Sequence, residues 1–179
     1  MKLIRENIFE TNSSSTHSLV IYTKDKVQLP DKLRLDFGEF GWGYYIYNDT
    51  HSKASYLITL IYSMENVLKE ECLKKFESIL DSNGIQYTLP YEDSQDTYGN
   101  GYVDHSDEAY EWVIYLLNNE DKLFDFLFSN KSYVSTGNDN DMSYFIPGIG
   151  YENECGYEEW ERKTKEMESQ GYIIDYKGN

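Results

Sequence analysis

The period with which apolar and polar positions alternate changes along this chain, and each change marks an element. Leu19-Val20-Ile21-Tyr22 is a short, β-branched run that predicts a strand. From Lys32 to Phe40, Leu33, Leu35 and Phe37 alternate with Arg34 and Asp36, the period of a half-buried strand. From Ala54 the apolar spacing becomes three and four. Leu57, Ile58, Ile61 and Met64, followed by Val67, Leu68, Cys72, Phe76, Ile79 and Leu80, set one helical stripe against a core. Asp49 or Thr50 is placed to cap this stripe and Asn83-Gly84 to end it. The stripe suits either one long helix or two that meet near Ser63. Ile85 to Leu89 predicts a short strand closed by Pro90.

In the second half, Ser106 is placed to cap a helix with Asp107 and Glu108 in its first turn, where the macrodipole favours acids. That helix buries Trp112, Val113, Leu116 and Leu117, and Leu123 to Phe128 continues helically after a break at Asn118-Asn119. Tyr133-Val134 predicts a short strand, Gly137 to Asp141 a turn and Ile146 to Gly150 a loop. Tyr157 to Gln170 predicts a charged helix with a thin apolar side (Trp160, Met167), ended by Gly171, before a closing strand at Tyr172-Ile173-Ile174. At the other end, Lys2 to Phe9 alternates weakly and leads into the polar run Glu10 to Ser18, which reads as a structured loop. Gly38, Gly41 and Gly43 interleave with Phe40, Trp42, Tyr44 and Tyr45, a pattern for a bulge or turn beside an aromatic cluster. The order of strands and paired helices predicts an α+β fold. Residues 1–179 would form a single compact domain, with a small mixed or antiparallel sheet packed against three to five helices.

Composition adds the setting. Hydrophobic residues make up 40% of the 179 positions, enough for one core, and 18 of the aromatic side chains are tyrosines. Tyrosine buries a ring while its hydroxyl stays wet, which suits a small core and an interface alike. Cys72 and Cys155 are too few for a disulfide framework. No leader pattern or long apolar run is present, so a reducing cytoplasm is the expected compartment.

Charge changes the picture most. Residues 1–90 hold 12 acids and 10 bases, whereas residues 91–161 hold 17 acids against Lys122 and Lys131 alone. Most of the net charge of −16 therefore sits in one stretch, behind a near-neutral first half. Such a field repels nucleic acid and attracts cationic surfaces. Solubility alone is the plainer explanation, although it requires no such asymmetry.

The candidate chemistry is sparse. Ser14 and His17 lie in a hydroxyl-rich run, the raw material of nucleophilic catalysis, but no Gly-x-Ser-x-Gly elbow accompanies them. Hydroxyls that satisfy backbone groups at a strand entrance are the commoner use of such a run. His17, His51 and His105 show no zinc spacing, and the acidic loops do not match a calcium loop, so neither metal nor cofactor is expected. Glu152-x-Glu154 and Glu159-x-Glu161 match the paired glutamates of some transferases, a pattern that chance supplies in so acidic a chain. No basic stripe is available to bind phosphates. The acidic face remains, and its expected partner-binding residues are Glu92, Asp93, Asp96, Asp107, Glu108, Glu111, Glu152, Glu154, Glu158, Glu159 and Glu161.

The opening Arg5 to Ser18, with its run Phe9-Glu10-Thr11-Asn12-Ser13-Ser14-Ser15-Thr16-His17-Ser18, resembles a group of small proteins from phages and mobile elements of Firmicutes-type bacteria. Asp36 to Trp42, Lys53 to Leu57 and Ser135 to Asp141 resemble further blocks of that group. The resemblance implies a phage setting in a bacterial cytoplasm and raises host-defence antagonism as a role. The expectation is an anti-CRISPR-like inhibitor. Its acidic, tyrosine-rich face would occupy the basic nucleic-acid groove of an RNA-guided nuclease, binding neither nucleic acid nor membrane directly. The alternatives are an enzyme built on the Ser/His loop and a virion accessory protein.

Overall fold

The structure is a computed structural model that describes residues 15–41, 43–91, 101–104, 106–138 and 156–177. In chain order the strands and helices are β1 (Ser15–Tyr22), β2 (Lys32–Arg34), β3 (Glu39–Phe40), β4 (Tyr45–Tyr47), α1 (Thr50–Ser63) and α2 (Asn66–Ser82). They continue as β5 (Gln86–Thr88), β6 (Tyr102–Val103), α3 (Ser106–Asn118), α4 (Glu120–Phe128), β7 (Tyr133–Asn138), α5 (Gly156–Gln170) and β8 (Tyr172–Lys177). The class is α+β, as the mixed periodicities predict. β4, β7, β1 and β8 form a four-stranded sheet in that order, with every neighbouring pair antiparallel. Two small parallel pairs, β2 with β5 and β3 with β6, lie apart from it.

α1 is the hub. Every residue from Lys53 to Ile61 is buried, and the helix contacts α2, α3, α4, β2 and β6. A helix buried on all sides leaves no face for a solvated charge, which explains why Ala54-Ser55-Tyr56-Leu57-Ile58-Thr59-Leu60-Ile61 carries none. Its start is set by Asp49, whose carboxylate accepts from the Ser52 amide at 2.9 Å. The long stripe resolves into two helices. Met64 is extended, so α1 stops at Ser63 and α2 restarts at Asn66. Gly84 follows α2 with φ of 69°, the left-handed conformation that makes glycine a helix terminator.

Several boundaries differ from the sequence reading, all for one shared reason. A strand forms at Tyr102–Val103, within the polar run Tyr91 to His105 that reads as a loop, and β8 runs on past Ile174 to Lys177. β1 begins at Ser15 rather than Leu19, and β7 runs on to Asn138 through positions expected to turn. Ser15 pairs with Asn138, Thr16 with Gly137, His17 with Thr136 and Ser18 with Ser135. Each polar stretch finds its backbone partners in the other, and local propensity cannot see a partner about 120 residues away. The alternating run from Lys32 to Phe40 is split into β2 and β3, because the two ends pair with different strands, β5 and β6. The expectations for Lys2 to Phe9, Glu10 to Ser14, Trp42 and Ile146 to Gly150 lie outside the described residues.

Candidate functional site

β1 is an inner strand, so the side chains of Ser15, Thr16, His17 and Ser18 are all buried. His17 sits at the centre of this polar group. Its Nε2 lies 2.8 Å from the backbone oxygen of Asp104, and a carbonyl only accepts, so Nε2 carries the proton and donates. Nδ1 is then the acceptor, taking the hydroxyl hydrogen of Tyr56 at 3.1 Å. Burial holds the Tyr56 phenol well above its usual pKa, which keeps it a neutral donor. The hydroxyl of Ser15, 3.2 Å from Nε2, faces the same N–H and can only accept from it.

Three further segments hold this arrangement. Phe40 meets the Tyr56 ring edge-on at 5.1 Å and the Tyr47 ring at 5.0 Å, the aromatic cluster that the Gly/aromatic stretch predicts. The Asp104 carbonyl is fixed because Asp104 donates its amide to Phe40 at 2.8 Å and Tyr102 donates to Gly38 at 2.9 Å. Gly101 allows that approach. Its φ is 66°, and a Cβ there would stand 2.3 Å from the Gly38 oxygen. Residues of β1, β3, α1 and the stretch 101–104 therefore meet around one buried histidine. His17 directs no lone pair at Ser15, so this pair lacks the polarity of a nucleophile and its base. Ser14 lies outside the described residues.

A second buried polar group escaped the sequence reading. Lys53, within α1, is wholly buried, and its Nζ donates to the backbone oxygens of Ser129 at 2.5 Å and Ser132 at 3.0 Å. Ser129 is the C-cap of α4, where orphan carbonyls and the helix dipole favour a cation. Burial pushes the ammonium down to about 8, opposed by the charge of Asp49. Only a lysine falling on the inward side of a stripe signals such a role, and a lysine stem can equally lie along a surface. Beside it, Asp25 takes hydrogen bonds from Lys131 at 2.9 Å and Ser129 at 2.8 Å, which hold its carboxyl below the usual range. Lys131 also stands 4.2 Å from the Tyr22 ring centre.

The predicted partner-binding acids are spread over two helices. Asp107, Glu108 and the exposed Glu111 lie on α3, and Glu158, Glu159 and Glu161 are on α5. α3 reaches β8 through Trp112, whose Nε1 donates to Asp175 at 2.6 Å, and α5 packs on β8 as well. Both acidic helices therefore border one edge strand. α5 is partly self-neutralised, with Arg162 3.6 Å from Glu159 and Lys165 2.5 Å from Glu161. Glu92, Asp93, Asp96, Glu152 and Glu154 lie outside the described residues. The two lysines of the acidic stretch are both engaged. Lys122 pairs at 3.1 Å with Asp125, which is buried rather than on the surface, and Lys131 pairs with Asp25.

Among the described residues no group of His, Cys, Asp and Glu side chains is placed to hold a metal ion. His51 lies 3.5 Å from Asp36, far along the chain from His17, and His105 is outside the described residues. Burial raises the Cys72 thiol, so it is a poor nucleophile. No described helix is long and apolar enough to cross a membrane. Compared with protein-family models, with curated proteins and with solved structures, the chain matches none.

Proposed function

We propose that this protein is a stoichiometric inhibitor, of the phage-borne anti-CRISPR type, that occupies the basic nucleic-acid groove of an RNA-guided nuclease with its acidic side. One observation carries the reading. The stretch 91–161 has 17 acids and two lysines, and both lysines are committed to ion pairs within the fold. The exposed carboxylates of Glu120, Asp121 and Glu158 thus face solvent in a stretch with no spare cation of its own. A Lys/Arg-lined groove complements such a field, which speeds encounter and fixes orientation. The tautomer at His17 supports a binder over an enzyme, since the buried Ser15–His17 pair is arranged to hold segments together.

The test is a pull-down of candidate nuclease complexes at rising salt, with the wild type beside an Asp121→Lys, Glu158→Lys double variant. Each lost charge pair at a groove weakens binding by about 1 kcal/mol, and the loss shrinks as salt screens the pair. Guide or target nucleic acid should displace the protein. Capture that ignores salt, charge reversal and nucleic acid would sink the proposal, as would no capture at low salt.

A further inference from the structure

β4 is an edge of the four-stranded sheet, and among the described residues it pairs only with β7. Its side chains are unusual for an edge. Tyr45 is 60% exposed and Ile46, on the opposite face, 47% exposed, with Tyr44 just before them also open. Natural edges are blunted by lysine, proline or a bulge, because an open edge carrying β-forming side chains templates another strand. Tyr47, the last residue of β4, is anchored inward against Phe40 at 5.0 Å and so pins the strand in place. Tyr102, from β6, adds a further exposed ring.

The charge around the strand is mainly acidic. Residues 35–52, which carry β4, contain Asp36, Glu39 and Asp49 but no lysine or arginine. Residues 91–121, which carry β6, contain no lysine or arginine either. Asp36 is answered by Arg34 at 2.5 Å, while Glu39 on β3, six residues before the strand, and Asp49, two residues after it, are exposed.

We propose that β4 is a docking edge: an extended, lysine- or arginine-bearing segment of a partner protein adds to it as a fifth strand. Main-chain hydrogen bonds to β4 supply affinity, and Tyr45 and Ile46 pack against alternate side chains of the added strand. Cations of that strand meet Glu39 and Asp49. The inference rests on the reading of this protein as a binder of cationic partners, and it names the edge and the mode of binding.

The experiment uses the full-length, isotope-labelled protein and a blocked peptide of about ten residues, the upper end of strand length, alternating lysine and threonine. An alternating glutamate–threonine peptide is the control. Amide shifts, amide exchange and affinity are followed at about 10 mM salt, where screening is weakest. Docking predicts slowed exchange, with the lysine peptide alone, at those β4 amides that point away from β7, which alternate along the strand. It also predicts a loss of affinity of about tenfold or more in Ile46→Pro, because proline cannot extend a ladder of main-chain hydrogen bonds. Ile46→Lys, which leaves the backbone intact, should weaken binding likewise and guards against a folding defect in the proline variant. Peptide binding mapped to α3 and α5, untouched by both variants, would overturn edge docking while leaving the proposed function standing. An absence of any peptide binding would also overturn edge docking, and the nuclease pull-down then decides the proposed function by itself.

Discussion

His17 shows how the ring of one buried residue can tie its own strand to two distant stretches of chain. Its two ring nitrogens have opposite roles fixed by their partners, a carbonyl at Nε2 and a phenol at Nδ1. Removing the phenol tests that assignment. Tyr56→Phe keeps the ring against Phe40 but leaves Nδ1 buried without a donor, which costs about 1–3 kcal/mol. Urea unfolding should show a lower midpoint with an unchanged slope; a loss below about 0.5 kcal/mol would mean that Nδ1 finds another donor. His17 itself was visible in the sequence as a candidate. Its partners were not, because Tyr56 reads as one more position in an apolar stripe and Asp104 contributes only its backbone.

Lys53 acts between elements, joining the first turns of α1 to the end of α4. The sign of its pH dependence follows from its lowered pKa. Between about 8 and the usual 10.5, the unfolded chain holds this proton and the folded chain does not. Stability from this group therefore rises as pH climbs through that window and is lost as pH falls towards about 8. Lys53→Met removes that slope and also leaves the Ser129 and Ser132 carbonyls unpaired, a deficit that does not vary with pH. Denaturant unfolding between about pH 8 and 9.5 should show wild-type stability gaining on the variant by about 1 kcal/mol per pH unit at most. Parallel pH profiles would refute the assignment. The window stops there because Tyr133, pushed up to about 12 by burial, pulls the other way once unfolded tyrosines ionise. The apolar stripe runs on unbroken through the split of α1 from α2, because Met64 is buried although it lies outside either helix.

Over the whole molecule, a net charge of −16 on 179 residues opposes compaction as well as steering partners. Screening should relieve that repulsion. Raising sodium chloride from about 10 to 150 mM shortens the Debye length from about 30 to 8 Å, and the melting temperature should climb by about 2–4 °C for each 1 kcal/mol relieved. A flat or falling curve would show that local pairs such as Glu161–Lys165 and Asp25–Lys131, which salt weakens, outweigh the general repulsion.

The class of fold, the placing of the helical stretches (though not the split of α1 from α2), the helix limits near Asp49 and Asn83-Gly84, and the charge polarity were all legible in the sequence. Each depends on neighbours within a few turns or on composition. Only the tertiary structure decided which polar residues were interior. Ser15 to Ser18 become strand because Ser135 to Asn138 lie beside them, Lys53 is buried because the end of α4 meets it, and Asp125 leaves the acidic surface for the core. These outcomes rest on hydrogen bonds between segments far apart in sequence. Periodicity records which side chains avoid water, and it holds no record of which polar groups have found each other instead.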